Sequence, residues 1–207
     1  PAQPVPSVAV HDSEQRFPIR RIFCVARNYA DHAREMGQNP DREEPFFFTK
    51  PADAIVDDGS FIPYPSETKN LHHEVELVVA LKKGGQDIDA KSALSHIWGY
   101  GVGNDLTRRD LQKEAKDKGR PWDLAKGFDN SAVCGALRPV SECGHITAGP
   151  IKLYVNDALR QKGDISDMIW SAPEIIAALS KFVELRPGDL VYTCLLYTSD
   201  AADDRLR

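Results

Sequence analysis

The stretch Leu71 to Val79, "LHHEVELVV", constrains this chain more than any other. Val75, Leu77, Val78 and Val79 read as a strand with a buried face. Glu74 and Glu76 sit one residue apart inside that apolar run, just after His72 and His73. Side chains at i and i+2 of a strand share a face, so Glu74 and Glu76 project together. Burying unpaired charge is costly, and two neighbouring carboxylates force one of them to hold a proton. A hard divalent cation removes the conflict, because Mg2+ and Mn2+ prefer oxygen ligands. A solvated strand face with two ordinary acids fits the same pair. A third acid weighs against it: in "GYGVGND" Asp105 follows a flexible Gly-rich approach, just ahead of an expected helix. There it completes a three-oxygen face, or simply suits the positive end of a helix.

The remaining elements follow from period and punctuation. "RRIFCVA" reads as a strand. "NYADHAREMG" reads as a short helix opened by Asn28 and stopped by Gly37. "FFFTKP" is expected as a buried strand closed by Pro51, and Asp58-Gly59 as a hairpin signal. "HHEVELVVAL" is expected to form one strand. Thr107 is the expected N-cap of a helix over "TRRDLQKEAKDKG", with Asp110 three residues on. "IKLYVND" and "ALRQKGD" form a hairpin around Asn156-Asp157. "SAPEIIAALSKFVEL" is an amphipathic helix with a Ser171/Glu174 capping box, and "RPGDLVYT" a turn and strand. Short strands at irregular spacing, with few helices, imply an α+β domain that is mostly β, not a doubly wound fold. Residues 1–16 are expected as an N-terminal arm and 17–193 as the catalytic domain. The stretch "CLLYTSDAADDRLR" (194–207) is expected as an unstructured tail.

The 207 residues suffice for one sizeable core. A net charge of −5, with no Lys/Arg block, argues against a nucleic-acid partner. No apolar run reaches the roughly 20 residues of a membrane span, and the N-terminus lacks a signal-peptide pattern. The four cysteines show no C-x-x-C pairing, so reduced thiols in a cytoplasmic protein are expected.

Three further sets of residues carry chemistry. His32 and Glu35 are i and i+3 on the expected helix, so they share a face. A carboxylate beside an imidazole orients it and raises its basicity, which suits a general base acting on water. A surface His–Glu pair fits the same spacing. Lys126, in "PWDLAKGFDNS", and Arg109, four residues after Asp105, are candidates to hold a substrate carboxylate, or else surface charges.

Together these stretches resemble the fumarylacetoacetate hydrolase family. The similarity runs through "RIFCVARNYADHAREMG", "PFFFTKPADAIV", "IPYPSETKNLHHEVELVVAL", "GYGVGNDLTRRDLQ", "GRPWDLAKGFDNSA" and "GDISDMIWSAPEII". It implies a roll-like, mostly β fold in a homodimer. It implies Glu74, Glu76 and Asp105 as ligands of Mg2+ or Mn2+, and His32 and Glu35 as the water-activating pair. Lys126 is implied as a catalytic lysine, and Arg109 and Gln112 as substrate-facing residues. His72 and His73 are read as structural, since imidazole suits Mg2+ less well than oxygen does. The implied activity is metal-dependent hydrolysis of an acylpyruvate, with fumarylpyruvate cleaved to fumarate and pyruvate in gentisate degradation. The alternatives are oxaloacetate decarboxylation, isomerisation or decarboxylation of a dienoate diacid, or an inactive truncated chain.

Overall fold

The computed structural model describes residues 3–26, 28 and 44–194. Its strands are β1 (Ser7–Ala9), β2 (Arg16–Pro18), β3 (Arg21–Ala26), β4 (Phe46–Lys50) and β5 (Ile55–Asp57). Next come β6 (Leu71–His72), β7 (Val75–Leu81), β8 (Ile97–Asp105) and β9 (Thr107–Arg108). The last are β10 (Ala132–Cys134), β11 (Arg138–Pro139), β12 (Pro150–Val155), β13 (Ala158–Asp164) and β14 (Asp189–Tyr192). The two longer helices among the described residues are α1 (Arg109–Asp117) and α2 (Ala172–Phe182). None of these helices is long and apolar enough to cross a membrane.

One mixed sheet dominates, in the order β4-β3-β14-β7-β8-β10-β5, with β11 also paired to β8. The sheet curls far enough for Lys50, on β4, to reach Asp105, on β8, although three strands lie between them. The mostly β expectation holds.

The strand β7 is buried along its whole length because both of its faces are covered. Leu77, Val79 and Leu81 join Phe23, Val25 and Val191 beneath Ile175, Ile176 and Leu179 of α2. Val78 and Ala80 meet Ile22, Cys24, Leu190 and Tyr192 on the other side. Glu76 shares the alternation of Val78 and Ala80, so the acids extend the row of that second apolar face. The helix α2 begins with the expected capping box: Glu174 accepts from the Ser171 N–H at 2.9 Å. The hairpin β12–β13 turns where expected, with Asn156 and Asp157 at φ 49° and 63°. Two consecutive left-handed residues match the right-handed twist of the flanking strands.

Several local expectations fail for identifiable reasons. "GYGVGND" is not a flexible approach to a helix; it is the second half of β8. Its glycines alternate along one strand face, where neighbours leave no room for a Cβ. One built on Gly103 would lie 2.5 Å from both Tyr192 Cε1 and Val78 Cγ2. Gly103→Ala is therefore expected to destabilise by about 1–3 kcal/mol through overpacking. Chemical denaturation measures this, and an unchanged midpoint would show that Tyr192 yields at no cost.

Thr107 does not cap α1. It lies in β9 and donates from Oγ1 to the Asp105 carbonyl, and Arg108 occupies the N-cap. "HHEVELVVAL" splits into β6, which pairs with β9, and β7. Asp58-Gly59 makes a turn without a hairpin, since β5 pairs in parallel with β10. The strand β4 is a half-exposed edge rather than a buried one. The N-terminal stretch carries β1 and places Val8 in the core, fully buried, so it does not project as an arm. Asn28 is fully buried, and its side-chain amide bonds Trp170 and Thr193. The expected helix after Asn28 and the stretch 195–207 lie outside the described residues.

Candidate metal centre

The strands β7 and β8 are antiparallel, with Glu76 opposite Gly103 and Val75 opposite Asn104. The Asp105 N–H donates to the Glu74 carbonyl at 2.8 Å, so the ladder continues one residue ahead of β7. This register puts Asp105 directly across from Glu74, two residues along from Glu76 on one face. One carboxylate oxygen from each of the three lies within 4.8 Å of the others. Exposure is 8% for Glu74 and 1% for Glu76 and Asp105, so none of them is an ordinary surface acid.

Among the described residues, three cations approach this cluster. Lys126, at the end of the helical turn Asp123–Lys126, places Nζ 2.8 Å from Glu74 and 2.7 Å from Asp105. Burial pulls its pKa down, but the Asp105 and Glu74 carboxylates outweigh burial and hold it well above its ordinary value. Arg109, at the start of α1, donates to Glu74, to Gln112 and to Nδ1 of His72. Lys50 sits 2.7 Å from Oδ1 of Asp105 and donates to the carbonyls of Leu106 and Lys126. Burial raises the Glu74 pKa, yet Lys126 and Arg109 overcome this and lower it to about 2.

Among the described residues, no cation is ion-paired with Glu76. Burial, then the charges of Asp105 and Glu74, push its carboxyl well above the usual carboxylate range. Its Oε2 accepts the Cys194 N–H at 2.8 Å. Oδ1 of Asp105 faces the Lys50 ammonium at 2.7 Å. The site thus offers three converging carboxylate oxygens, one of them from a carboxyl whose ionisation burial and its acidic neighbours disfavour. These features fit a hard, oxygen-seeking divalent cation such as Mg2+ or Mn2+.

Ionisation of Glu76 then accompanies cation binding, so Mn2+ affinity is expected to rise with pH. The slope is up to about tenfold per pH unit until the free-site Glu76 carboxyl has titrated. The sign agrees with folding linkage. A raised folded-state pKa means that, without metal, Glu76 contributes less stability as pH rises. Mn2+ titrations at a series of pH values test this, and a pH-independent affinity would contradict it.

The sequence-predicted residues are brought together in large part. Glu74, Glu76, Asp105, Lys126, Arg109 and Gln112 form one connected cluster. His72 stands beside Arg109 rather than among the acids. Burial, then the Arg109 charge, lowers its pKa to about 4, which keeps it neutral. His32 and Glu35 lie outside the described residues.

Lys50 was missed. Its only sequence signal is a lysine ending the apolar strand "FFFTK". Its partner is 55 positions away in the chain. Asn104, the polar residue beside Asp105, has a positioning contact that its sequence context does not specify: its Oδ1 accepts the Glu74 N–H at 2.8 Å, steadying that backbone.

The "Fumarylacetoacetate (FAA) hydrolase C-terminal" family matches residues 21–194. The mitochondrial oxaloacetate tautomerase of Mus musculus is 44% identical over 174 residues, covering 84% of this chain and 78% of the relative. A fumarylpyruvate hydrolase of Ralstonia sp is 42% identical over 160 residues, covering 76% of this chain and 83% of the relative. The crystal structure of fumarylpyruvate hydrolase from Pseudomonas aeruginosa, in complex with Mn2+ and pyruvate, superposes with a TM-score of 0.87 at 52% identity. That alignment covers 93% of this chain and 85% of the other. The family model spans residues 21–194, most of the 207-residue chain, and the chain belongs to the fumarylacetoacetate hydrolase family.

Proposed function

We propose that the protein hydrolyses the C–C bond of an acylpyruvate in a divalent-metal-dependent reaction, cleaving fumarylpyruvate to fumarate and pyruvate. The observation that carries this reading is the buried triad Glu74, Glu76 and Asp105, with Lys126 bonded to two of its members. The relative with bound Mn2+ and pyruvate supports it, because pyruvate is one of the products. Gentisate degradation, in a cytoplasmic homodimer, is the setting this activity implies.

Glu74, Glu76 and Asp105 would hold the cation, which supplies Lewis-acid polarisation of the 2-keto acid end of the substrate. Lys126 sets a permanent positive charge beside the place where enolate charge develops. Arg109, braced by Glu74 and Gln112, orients the substrate carboxylate. In this reading His32, oriented by Glu35, takes a proton from water. The hydroxide attacks the distal keto carbon, the C–C bond breaks, and its electron pair leaves in the pyruvate enolate. The enolate takes up the proton that His32 holds, giving pyruvate, and the new acyl carboxylic acid ionises, releasing the second proton of water to solvent.

A second reading, oxaloacetate keto–enol exchange, is favoured by the Mus musculus relative. It needs the same polarisation and a proton carrier, but no attack by water. Fumarylpyruvate and oxaloacetate are supplied separately, with Mn2+, with Mg2+ and with EDTA. Metal-dependent release of fumarate and pyruvate supports hydrolysis. Enol consumption without cleavage supports the tautomerase, and CO2 from oxaloacetate a decarboxylase.

A further inference from the structure

The hairpin β12–β13 stands apart from the main sheet as a two-stranded sheet of its own. Most of β13 is exposed, from Ala158 to Arg160 and again at Lys162, yet Gln161 is only 3% exposed. A buried polar side chain in an exposed strand needs a reason. Gln161 Oε1 accepts the backbone N–H of Val75 at 2.9 Å. Val75 is the residue between Glu74 and Glu76.

The geometry of β7 shows why that N–H needs a side-chain partner. On the flank away from β8 the neighbour is β14, whose pairing ends at Tyr192 opposite Val78. The last backbone bond there runs from the Thr193 N–H to the Leu77 carbonyl. Two residues earlier, Val75 is 4% exposed and, among the described residues, has no strand on that flank. A buried amide left without an acceptor costs about 1–3 kcal/mol, so the bond is obligatory. The hairpin is shaped to supply it. Leu153 pairs with Gln161 and Tyr154 with Leu159, so Arg160 is an extra residue in a β-bulge. Bulges re-aim the neighbouring side chains. Ile151 packs on Val75 and docks the same hairpin face.

We propose that Gln161 is a positioning residue for the metal centre. It fixes the backbone between Glu74 and Glu76 and couples the hairpin β12–β13 to cation binding. This rests on the metal-centre reading above. Groups that orient metal ligands from outside change metal affinity about 10–100-fold when removed. Coupling is also reciprocal: if the docked hairpin favours the cation, the cation favours the docked hairpin.

The test uses the whole chain. Mn2+ affinity is titrated for the parent, for Gln161→Met, which keeps the length and loses the acceptor, and for Gln161→Glu, which keeps an acceptor oxygen. The expected result is a roughly 10–100-fold weakening in Gln161→Met and recovery to the parental value or tighter in Gln161→Glu. A merely structural glutamine would lower thermal stability in Gln161→Met and leave the affinity of the folded fraction unchanged, which overturns the proposal. Equal weakening in both variants overturns it too. Should Gln161→Met not fold, amide hydrogen exchange on the parent decides. Mn2+ is expected to slow exchange across Pro150–Asp164, and exchange unaffected by Mn2+ overturns the coupling. Failure of the parent to bind Mn2+ at all would instead sink the metal-centre reading.

Discussion

Lys126→Met is expected to lower kcat/KM for the acylpyruvate by about 100–1,000-fold, the loss typical of one preorganised charge partner for a developing oxyanion. It is also expected to destabilise the metal-free protein. Lys126 holds Glu74 and Asp105 at 2.8 and 2.7 Å, all three nearly inaccessible to water. Removing one partner of a buried ion pair costs about 3–5 kcal/mol. Here the lower end applies, because Arg109 still faces Glu74 and Lys50 still faces Asp105. For a chain of this size that is a fall of roughly 10 °C in Tm. Mn2+ is expected to restore much of the stability, since it neutralises the same acids, but none of the turnover. Kinetics and calorimetry in EDTA and in Mn2+ separate the two effects. Parental turnover in the variant would reduce Lys126 to a charge balancer.

Glu76→Gln has the opposite signature in the absence of metal. Glu76 is the acid whose carboxyl burial, then the charges of Asp105 and Glu74, push well above the usual carboxylate range. A neutral amide of the same shape can still accept the Cys194 N–H that Oε2 accepts now. In EDTA above neutral pH the variant is therefore expected to melt at or above the parental Tm. It also replaces one of the three proposed carboxylate ligands with a neutral, weaker amide oxygen. The Mn2+-induced rise in Tm is expected to disappear; in the parent it reflects about 2.7 kcal/mol at a hundredfold excess over Kd. Thermal melts with and without Mn2+ read both effects. A destabilised Glu76→Gln in EDTA, or one that Mn2+ still stabilises fully, would mean that Glu76 is a structural acid.

The acids were legible in the sequence because their arrangement is local. Strand periodicity alone puts Glu74 and Glu76 on one face, and a buried apolar strand makes two acids there anomalous. Asp105 was found for the wrong local reason. It was read as a residue ahead of a helix, whereas it ends β8, and the glycines before it serve close packing against Tyr192 and Val78 rather than flexibility. Thr107 was misread for the same cause: its hydroxyl has a nearer acceptor in the Asp105 carbonyl.

Sequence alone determined the sheet-rich class, the hairpin at Asn156-Asp157, the capped helix α2 and the pairing of two acids on one strand. Each rests on interactions between residues a few positions apart, which period and turn chemistry report directly. Only the tertiary structure decided which cations answer those acids. Lys50, Lys126 and Arg109 come from an edge strand, a helical turn and a helix start, and Gln161 comes from a separate hairpin. Nothing local marks Lys50 or Gln161, and local context offers Lys126 and Arg109 only as candidates for a substrate carboxylate, not as partners of these acids. The curl of the sheet and the burial it creates turn ordinary polar residues into partners of a charge that water no longer reaches.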